Sequence, residues 1–421
     1  MLSINPYIRV TKMFSVDRYM LSCSNNSLLN REIGKSFYNL LVEVNNGCER
    51  KRVEKRYTKR LIDDLVAEGT LWEAKKHTYN SNVLGNLKIK YPLTSLVIEL
   101  TNACNLNCVH CYGQFGQPQK CHVWTLAEVK ELKNQLDELH THEVRLSGGE
   151  CLLNPDFEEI ALFFLNNGFR VGIYTNGTLP NVLEQFLEKT RKYNYYIAVS
   201  LDGMGDMHNL VRGRVCYEEV IQSLNTLKKY DNVDVLIETA VSKINVANIV
   251  DVRNFVKKEY PKFNHKSFFI SPIEDRNISF SSKEILDMPK EYDFLFDNFL
   301  KRNKSKRFLC FGGKRRRCYG GVINGVITAD RKVKCCPMAM DEDFVMGNLL
   351  ERKLVSIWEM PDNGTEEFRS EYIRNSTKCK KCKYKRKCGD VNCRVEAKSL
   401  LDDWKKESPY TCSALERLEG K

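Results

Sequence analysis

Six times between residues 94 and 303, a short apolar or β-branched run gives way to a longer amphipathic stretch. The runs predict strands over 95–101, 143–147, 169–175, 194–201, 233–240 and 265–271. The stretches between and after them predict helices over 125–139, 155–167, 180–190, 216–230, 246–260 and 281–303. Start signals agree with this reading. Thr125 stands three residues before Glu128, the pattern of a capping box, and Asn154-Pro155 places a proline at a first helical position. Consecutive strand–helix units predict an α/β fold built on a parallel barrel, or part of one. Barrels of this kind assemble their chemistry at the rim formed by the C-terminal ends of the strands.

The loop after the first strand sits on that rim and carries Cys104, Cys108 and Cys111 in Thr-Asn-Ala-Cys-Asn-Leu-Asn-Cys-Val-His-Cys-Tyr-Gly. The spacing, C-x3-C-x2-C, puts three thiolates on one tight loop without a fourth. A [4Fe–4S] cube held by four thiolates is full, whereas three leave an iron open to a small molecule. Zinc is the alternative, but its structural sites favour paired C-x2-C units or later histidines. His110 lies between two of the cysteines, too near in sequence to join the same tetrahedron easily.

The flanks differ from the barrel. Residues 1–90 suggest two short strands from Val10 to Cys23, amphipathic helices from Ile33 to Val44 and from Lys55 to Ala67, and a closing strand at Leu71-Trp72-Glu73. This is winged-helix-like, with Asn80 to Asn86 as a linker. From residue 310 the periodicity fades and cysteines crowd in, so metal is expected to organise this segment. The chain has 17 cysteines in 421 residues, and its N-terminus lacks a basic region followed by an apolar stretch. That predicts a cytoplasmic protein whose cysteines hold metal rather than disulfides. There is no 18-residue apolar run, so no membrane span is expected. The formal charge of +12 is moderate, and the basic runs Lys314 to Arg317 and Lys380 to Lys387 adjoin cysteines. They read as a solvated surface offsetting negative clusters, not as a nucleic-acid footprint.

The cysteine motif after a first β-strand resembles the radical S-adenosylmethionine (radical SAM) enzymes, and further matches follow in order. Gly148, Gly149 and Glu150 at the second strand end are similar to that family's GGE motif, which holds the amino group of the methionine moiety. Asn176, in Tyr-Thr-Asn-Gly at the third strand end, resembles a nucleoside contact. Ser200 and Arg212 resemble the subfamily's ribose and carboxylate ligands, and an arginine fork suits a carboxylate. His110 takes the place of an aromatic residue that packs the adenine. Cys151 stands where a proline usually follows the GGE.

In the tail, Cys379, Cys382, Cys388 and Cys393, spaced C-x2-C-x5-C-x4-C and followed by Cys412, resemble the core of the SPASM domain, which carries two auxiliary iron–sulfur clusters. The resemblance assigns Cys310, Cys318, Cys336 and Cys393 to one cluster and Cys379, Cys382, Cys388 and Cys412 to the other. Register selects Cys336 over Cys335, and Arg331 stands where a turn glycine is usual. Zinc is the alternative here too, since C-x2-C pairs are its habit.

Taken together, these resemblances imply a partial (β/α)6 radical SAM barrel over 91–305. It would lie between a winged-helix-like leader-recognition domain over 1–90 and a SPASM domain over 306–421. They imply three [4Fe–4S] clusters, S-adenosylmethionine, a precursor peptide with a leader, and a flavodoxin- or ferredoxin-like electron donor. The activity implied is that of a ribosomal-peptide maturase forming a thioether or carbon–carbon crosslink. A peptide epimerase and an anaerobic sulfatase-maturating enzyme are the nearest rivals. The latter has an aspartate as base where Pro337 stands here. From another class, a DNA-binding iron–sulfur sensor would have no use for the glycine, serine and arginine constellation.

Overall fold

The computed structural model describes residues 1–13, 18–23, 31–80, 83, 91–113, 115–116, 120–242, 244–269, 320–337, 339, 342–370, 381, 394–403 and 406. The N-terminal unit opens with β1 (Leu2–Ile4), β2 (Ile8–Met13), β3 (Arg18–Cys23) and β4 (Arg31–Gly34). Helices α1 (Lys35–Asn45), α2 (Arg50–Tyr57) and α3 (Lys59–Ala67) follow, then β5 (Leu71–Glu73). β2, β3 and β4 form an antiparallel meander, and β5 returns to pair with β1. Ile8, Val10, Leu21 and Ile33 of the meander bury against Leu40, Leu41, Val44, Ile62 and Leu65 of the helices.

The helix expected from Lys55 to Ala67 is two helices. Thr58 breaks it in a left-handed conformation (φ 74°), and its hydroxyl caps the second piece by accepting from Leu61 N. Ile33 belongs to a strand rather than to the first helix. Asn80 is no linker residue. It is buried, its amide N donates to Asn45 Oδ1 (2.8 Å), and its side chain donates to the Asn5 and Ile8 carbonyls.

The barrel strands are β6 (Ser95–Glu99), β7 (Glu143–Ser147), β8 (Arg170–Thr175), β9 (Tyr195–Ser200), β10 (Val233–Val241) and β11 (Asn264–Phe269). They pair in sequence order, every pair parallel. Helices α4 (Leu126–Glu138), α5 (Phe157–Asn166), α6 (Pro180–Lys189), α7 (Asp206–Arg212), α8 (Tyr217–Leu227) and α9 (Ile249–Glu259) connect them. Each strand sends alternate residues to the helical layer, such as Leu96 and Ile98 of β6 and Val144 and Leu146 of β7. The intervening positions face the other way, and several of them are charged, including Glu143, Arg145 and Arg170. Glu143 there binds Arg145 (2.7 Å), Arg170 (3.0 Å) and the Tyr196 hydroxyl (2.9 Å). The two guanidiniums hold its carboxyl down at about 2 despite burial.

Thr125 and Glu128 form the expected capping box. Pro155 precedes its helix rather than opening it. The Asn154 side chain is committed elsewhere, accepting from Asp156 N and donating to the Leu100 and Trp124 carbonyls, which delays the helix to Phe157. The helix expected over 281–303 lies outside the described residues.

The tail continues the same sheet. β12 (Asn324–Ile327) pairs in parallel with β6, and β13 (Lys332–Lys334) and β14 (Val345–Asn348) add antiparallel strands beyond it. Helices α10 (Leu354–Glu359), α11 (Thr365–Ser370) and α12 (Arg394–Leu401) follow. Ile327, Val333, Phe344, Met346, Ile357 and Trp358 share one core with the barrel. The described part of the tail is therefore organised by apolar packing, not by metal alone.

Candidate active site at the cysteine rim

The cysteine loop leaves β6 and is pinned at successive points. Gly149 N donates to Thr101 O (2.8 Å) and Glu150 N to Ala103 O (2.9 Å), so the turn after β7 extends pairing onto the loop. This needs glycine. A Cβ on Gly148, at φ +136°, would lie 2.2 Å from Thr101 O, and one on Gly149 would lie 2.2 Å from Ala103 O. At the end of β8, Asn176 Nδ2 donates to Asn105 Oδ1 (2.9 Å), and its Oδ1 accepts from Thr178. At the end of α7, Val109 N donates to Val211 O (3.0 Å), and Gly213, left-handed at φ 67°, lets Asn107 O approach.

Each thiol of the triad has a donor nearby. Asn176 Nδ2 lies 4.0 Å from Cys104 Sγ, Arg212 Nη1 3.7 Å from Cys108 Sγ, and Phe115 N 3.4 Å from Cys111 Sγ. The three pack around Leu106 in a small apolar cluster that also takes in the buried Cys216. Burial pushes the Cys104 thiol up to about 12 and raises Cys108. Thiols so placed ionise when a metal takes the sulfur. Among the described residues, no three Cys, His, Asp or Glu side chains converge as a single metal ion demands. A cube does not ask them to, because each thiolate binds a different iron. Three separated sulfurs, each with an N–H donor, fit that group.

Glu150 is buried, and its carboxylate is fully engaged. It accepts from Asn176 N (2.7 Å), the Thr175 hydroxyl (2.8 Å) and Leu152 N (3.1 Å). Burial raises its pKa against these bonds. The carboxylate thus ties the ends of β7 and β8 together beneath the loop. Cys151 is a core residue whose thiol donates to Tyr174 O (3.2 Å), in the turn where a proline was expected. Ser200 ends β9, half-buried, opposite Glu238.

Arg212 is buried, with Nη2 2.7 Å from Asp202 Oδ2. Asp202 is wholly buried, and its other oxygen accepts from Ala240 N (2.8 Å). His110 Nε2 lies 3.8 Å from the same Asp202 oxygen as Arg212, and burial lowers the imidazole to about 4, so it is neutral. Asp202 stands two residues after Ser200, yet its partnership with Arg212 depends on α7, a helix without a visible apolar period.

Two profiles match the chain: the radical SAM superfamily over residues 98–256, and the SPASM iron–sulfur cluster-binding domain over 318–383. The chain is a radical SAM enzyme with a SPASM domain. It is 28% identical over 348 residues to the AdoMet-dependent heme synthase of Methanosarcina barkeri, covering 74% of this chain and 94% of that protein. It is 25% identical to the antilisterial bacteriocin subtilosin biosynthesis protein AlbA of Bacillus subtilis, covering 68% and 64% respectively. The structure of Streptococcus suis SuiB bound to precursor peptide SuiA aligns with a TM-score of 0.65 at 15% identity. It covers 97% of this chain and 98% of that one.

On the other side of the loop, this radical SAM enzyme has a cavity of about 410 Å³ between the cysteine loop and the start of the tail. Its lining includes Glu99, Tyr112, His122, Lys334, Cys336 and Pro337. Buried Glu99 accepts from the Tyr112 hydroxyl (3.1 Å), and desolvation raises its carboxyl to about 7. Sequence reasoning missed Glu99, whose signal was a lone carboxylate in an otherwise apolar strand. Cys335 turns into the core, whereas Cys336 faces the cavity. Cys310, Cys318, Cys379, Cys382, Cys388, Cys393 and Cys412 lie outside the described residues. Cys23 is a buried apolar side chain, and Cys121 is exposed. Among the described residues, no helix is long and apolar enough to cross a membrane.

Proposed function

We propose that this radical SAM enzyme modifies a ribosomally made precursor peptide, installing a thioether or carbon–carbon crosslink. The observation that carries this reading is the N-terminal unit with its own core. An alignment covering 97% of the chain must include it, and the SuiB structure so aligned is bound to a precursor peptide. The heme synthase match spans 94% of that protein but 74% of this chain, so a quarter of the chain has no part in it. The meander β2–β3–β4 ends in two strands without a further partner among the described residues. A leader peptide adds to such an edge as an extra strand.

Cys104, Cys108 and Cys111 hold the cluster, with Gly148, Gly149, Glu150, Asn176, Ser200, Arg212 and His110 shaping the pocket for S-adenosylmethionine. A cluster and S-adenosylmethionine held there would, with one electron from a small flavodoxin- or ferredoxin-like protein, supply the chemistry that releases methionine and removes a hydrogen atom from the substrate. The loop's pinning keeps these residues in one geometry and limits water around them. Cys336 belongs to one auxiliary set with Cys310, Cys318 and Cys393; Cys379, Cys382, Cys388 and Cys412 form the other. Glu99, on the cavity wall, is able to take up a proton near neutral pH. Pro337, in the same wall, offers no carboxylate, which argues against the sulfatase-maturating chemistry.

The test is anaerobic incubation of the reconstituted enzyme with S-adenosylmethionine and dithionite. 5′-Deoxyadenosine should form, and Cys104→Ala should abolish it; equal behaviour of the two proteins would refute the reading. Iron should approach about twelve per chain for three cubes. A value near four accompanied by zinc would remove the auxiliary assignment.

A further inference from the structure

Arg212 lies directly against the triad. Nη1 donates to Cys108 Sγ from 3.7 Å, Nη2 forms an ion pair with Asp202 Oδ2 at 2.7 Å, and Nε has no hydrogen-bond partner. Asp202 is itself immobilised. One oxygen accepts from Ala240 N, its amide donates to His208 Nδ1 (3.1 Å), and its carbonyl accepts from Asn245 Nδ2 (2.7 Å). β9, β10 and α7 thus fix one guanidinium against one sulfur, out of water.

We propose that Arg212, clamped by Asp202, donates to the Cys108 thiolate and raises the reduction potential of the cluster that this thiolate holds. The proposal rests on the reading that the triad binds a cluster, and it goes beyond the carboxylate contact implied by resemblance. Reduction adds one negative charge to the cluster. A fixed cation and N–H donor at a ligand sulfur stabilise the reduced state more than the oxidised one. The unpartnered Nε leaves one donor of the same guanidinium for an anionic ligand. Asp202 is a positioning residue, acting on the cluster through Arg212.

The experiment uses reconstituted holoenzyme without S-adenosylmethionine. In protein labelled with 15N-arginine, pulsed EPR of the reduced cluster should show an arginine-nitrogen coupling that Arg212→Lys abolishes. Wild-type protein without that coupling overturns the proposal, whatever the variants do. In EPR-monitored titrations, Arg212→Gln should lower the reduced-to-oxidised ratio at fixed potential about tenfold, equivalent to about 59 mV for one electron. An unchanged or increased ratio overturns it. Asp202→Asn removes a negative charge and should raise the ratio when it is combined with Arg212→Gln. Made alone, the same change should raise it less or lower it, because the donor is lost as well. Equal shifts in the two backgrounds refute the clamp. A protein that binds no iron refutes the function proposed above, whereas an EPR-active cluster lacking arginine coupling refutes this inference alone.

Discussion

The N-terminal unit and the described tail flank the same barrel but are joined to it in opposite ways. Residues 2–83 bury their apolar side chains among themselves. Arg9 reaches across to the barrel, its Nη1 donating to Thr141 O (3.3 Å) at the end opposite the cysteine rim. The tail instead adds three strands to the barrel sheet and shares its core. Trp358 shows the difference at one residue: it is fully buried, and its indole N–H donates to Tyr91 O (2.9 Å), ahead of β6. Recognition can be carried on a unit with a separate core, because such a unit can shift without disturbing the catalytic rim. Under the proposed function, the auxiliary clusters would belong to a segment continuous with that rim.

Truncation should break the comparison most visibly. Deleting residues 320–421 removes β12–β14 and their share of the core, and should leave no soluble, cooperatively melting barrel. Deleting residues 1–90 should preserve the melt and the substrate-free release of 5′-deoxyadenosine while abolishing action on a leader-bearing precursor. Comparable losses of fold from both deletions would contradict the separate-core description. At single-residue scale, Trp358→Ala should destabilise the barrel by about 3–5 kcal/mol, the range for large-to-small core changes. Denaturant unfolding followed at the barrel's own signals would measure it.

Much of this was legible in the sequence because the barrel strands are short apolar runs with clear ends. The six expected strands are found within a residue or two of their predicted bounds, and the motif residues fall at their ends. The capping box at Thr125 was equally direct, since its two side chains bond their own helix end. What escaped detection depends on distant partners. β1 and β4 are too short to show alternation, and β1 is a strand because β5 returns to it. The tail's union with the barrel rests on β12 pairing with β6, a parallel contact between opposite parts of the chain. Asp202 gained a role only when α7 brought Arg212 back onto it.

Glu99 sits on the seam between barrel and tail, so its titration should report on that seam. Its carboxyl is raised from 4.5 to about 7 by burial, partly opposed by the Tyr112 hydroxyl and Lys334. A raised carboxyl contributes stability that is full below the unfolded value and is lost as pH climbs through the folded one. The wild-type protein should therefore lose about 3 kcal/mol between pH 4.5 and 7 through this group. Glu99→Gln should flatten that part of the pH–stability curve. Identical curves for the two proteins would show that the seam is wetter than the structure describes.

The smallest expected effect concerns Arg331, which bolts the β12–β13 turn to the barrel. It occupies the left-handed region at φ 70°, which accounts for the glycine usual in this place. The side chain offsets that strain: Nη2 donates to Val123 O (2.8 Å), Nε donates to Glu128 (3.1 Å), and the guanidinium lies 4.4 Å over the Trp124 ring. Arg331→Ala removes the bolt and keeps the strain, whereas Arg331→Gly removes both. At an ordinary position alanine is the more stable of the two; here glycine should win by about 1 kcal/mol. Thermal unfolding of the two variants side by side decides the sign. An alanine variant as stable as the glycine one would mean that the turn relaxes once the guanidinium is gone, and that the barrel's grip, rather than the hairpin, imposes the left-handed residue.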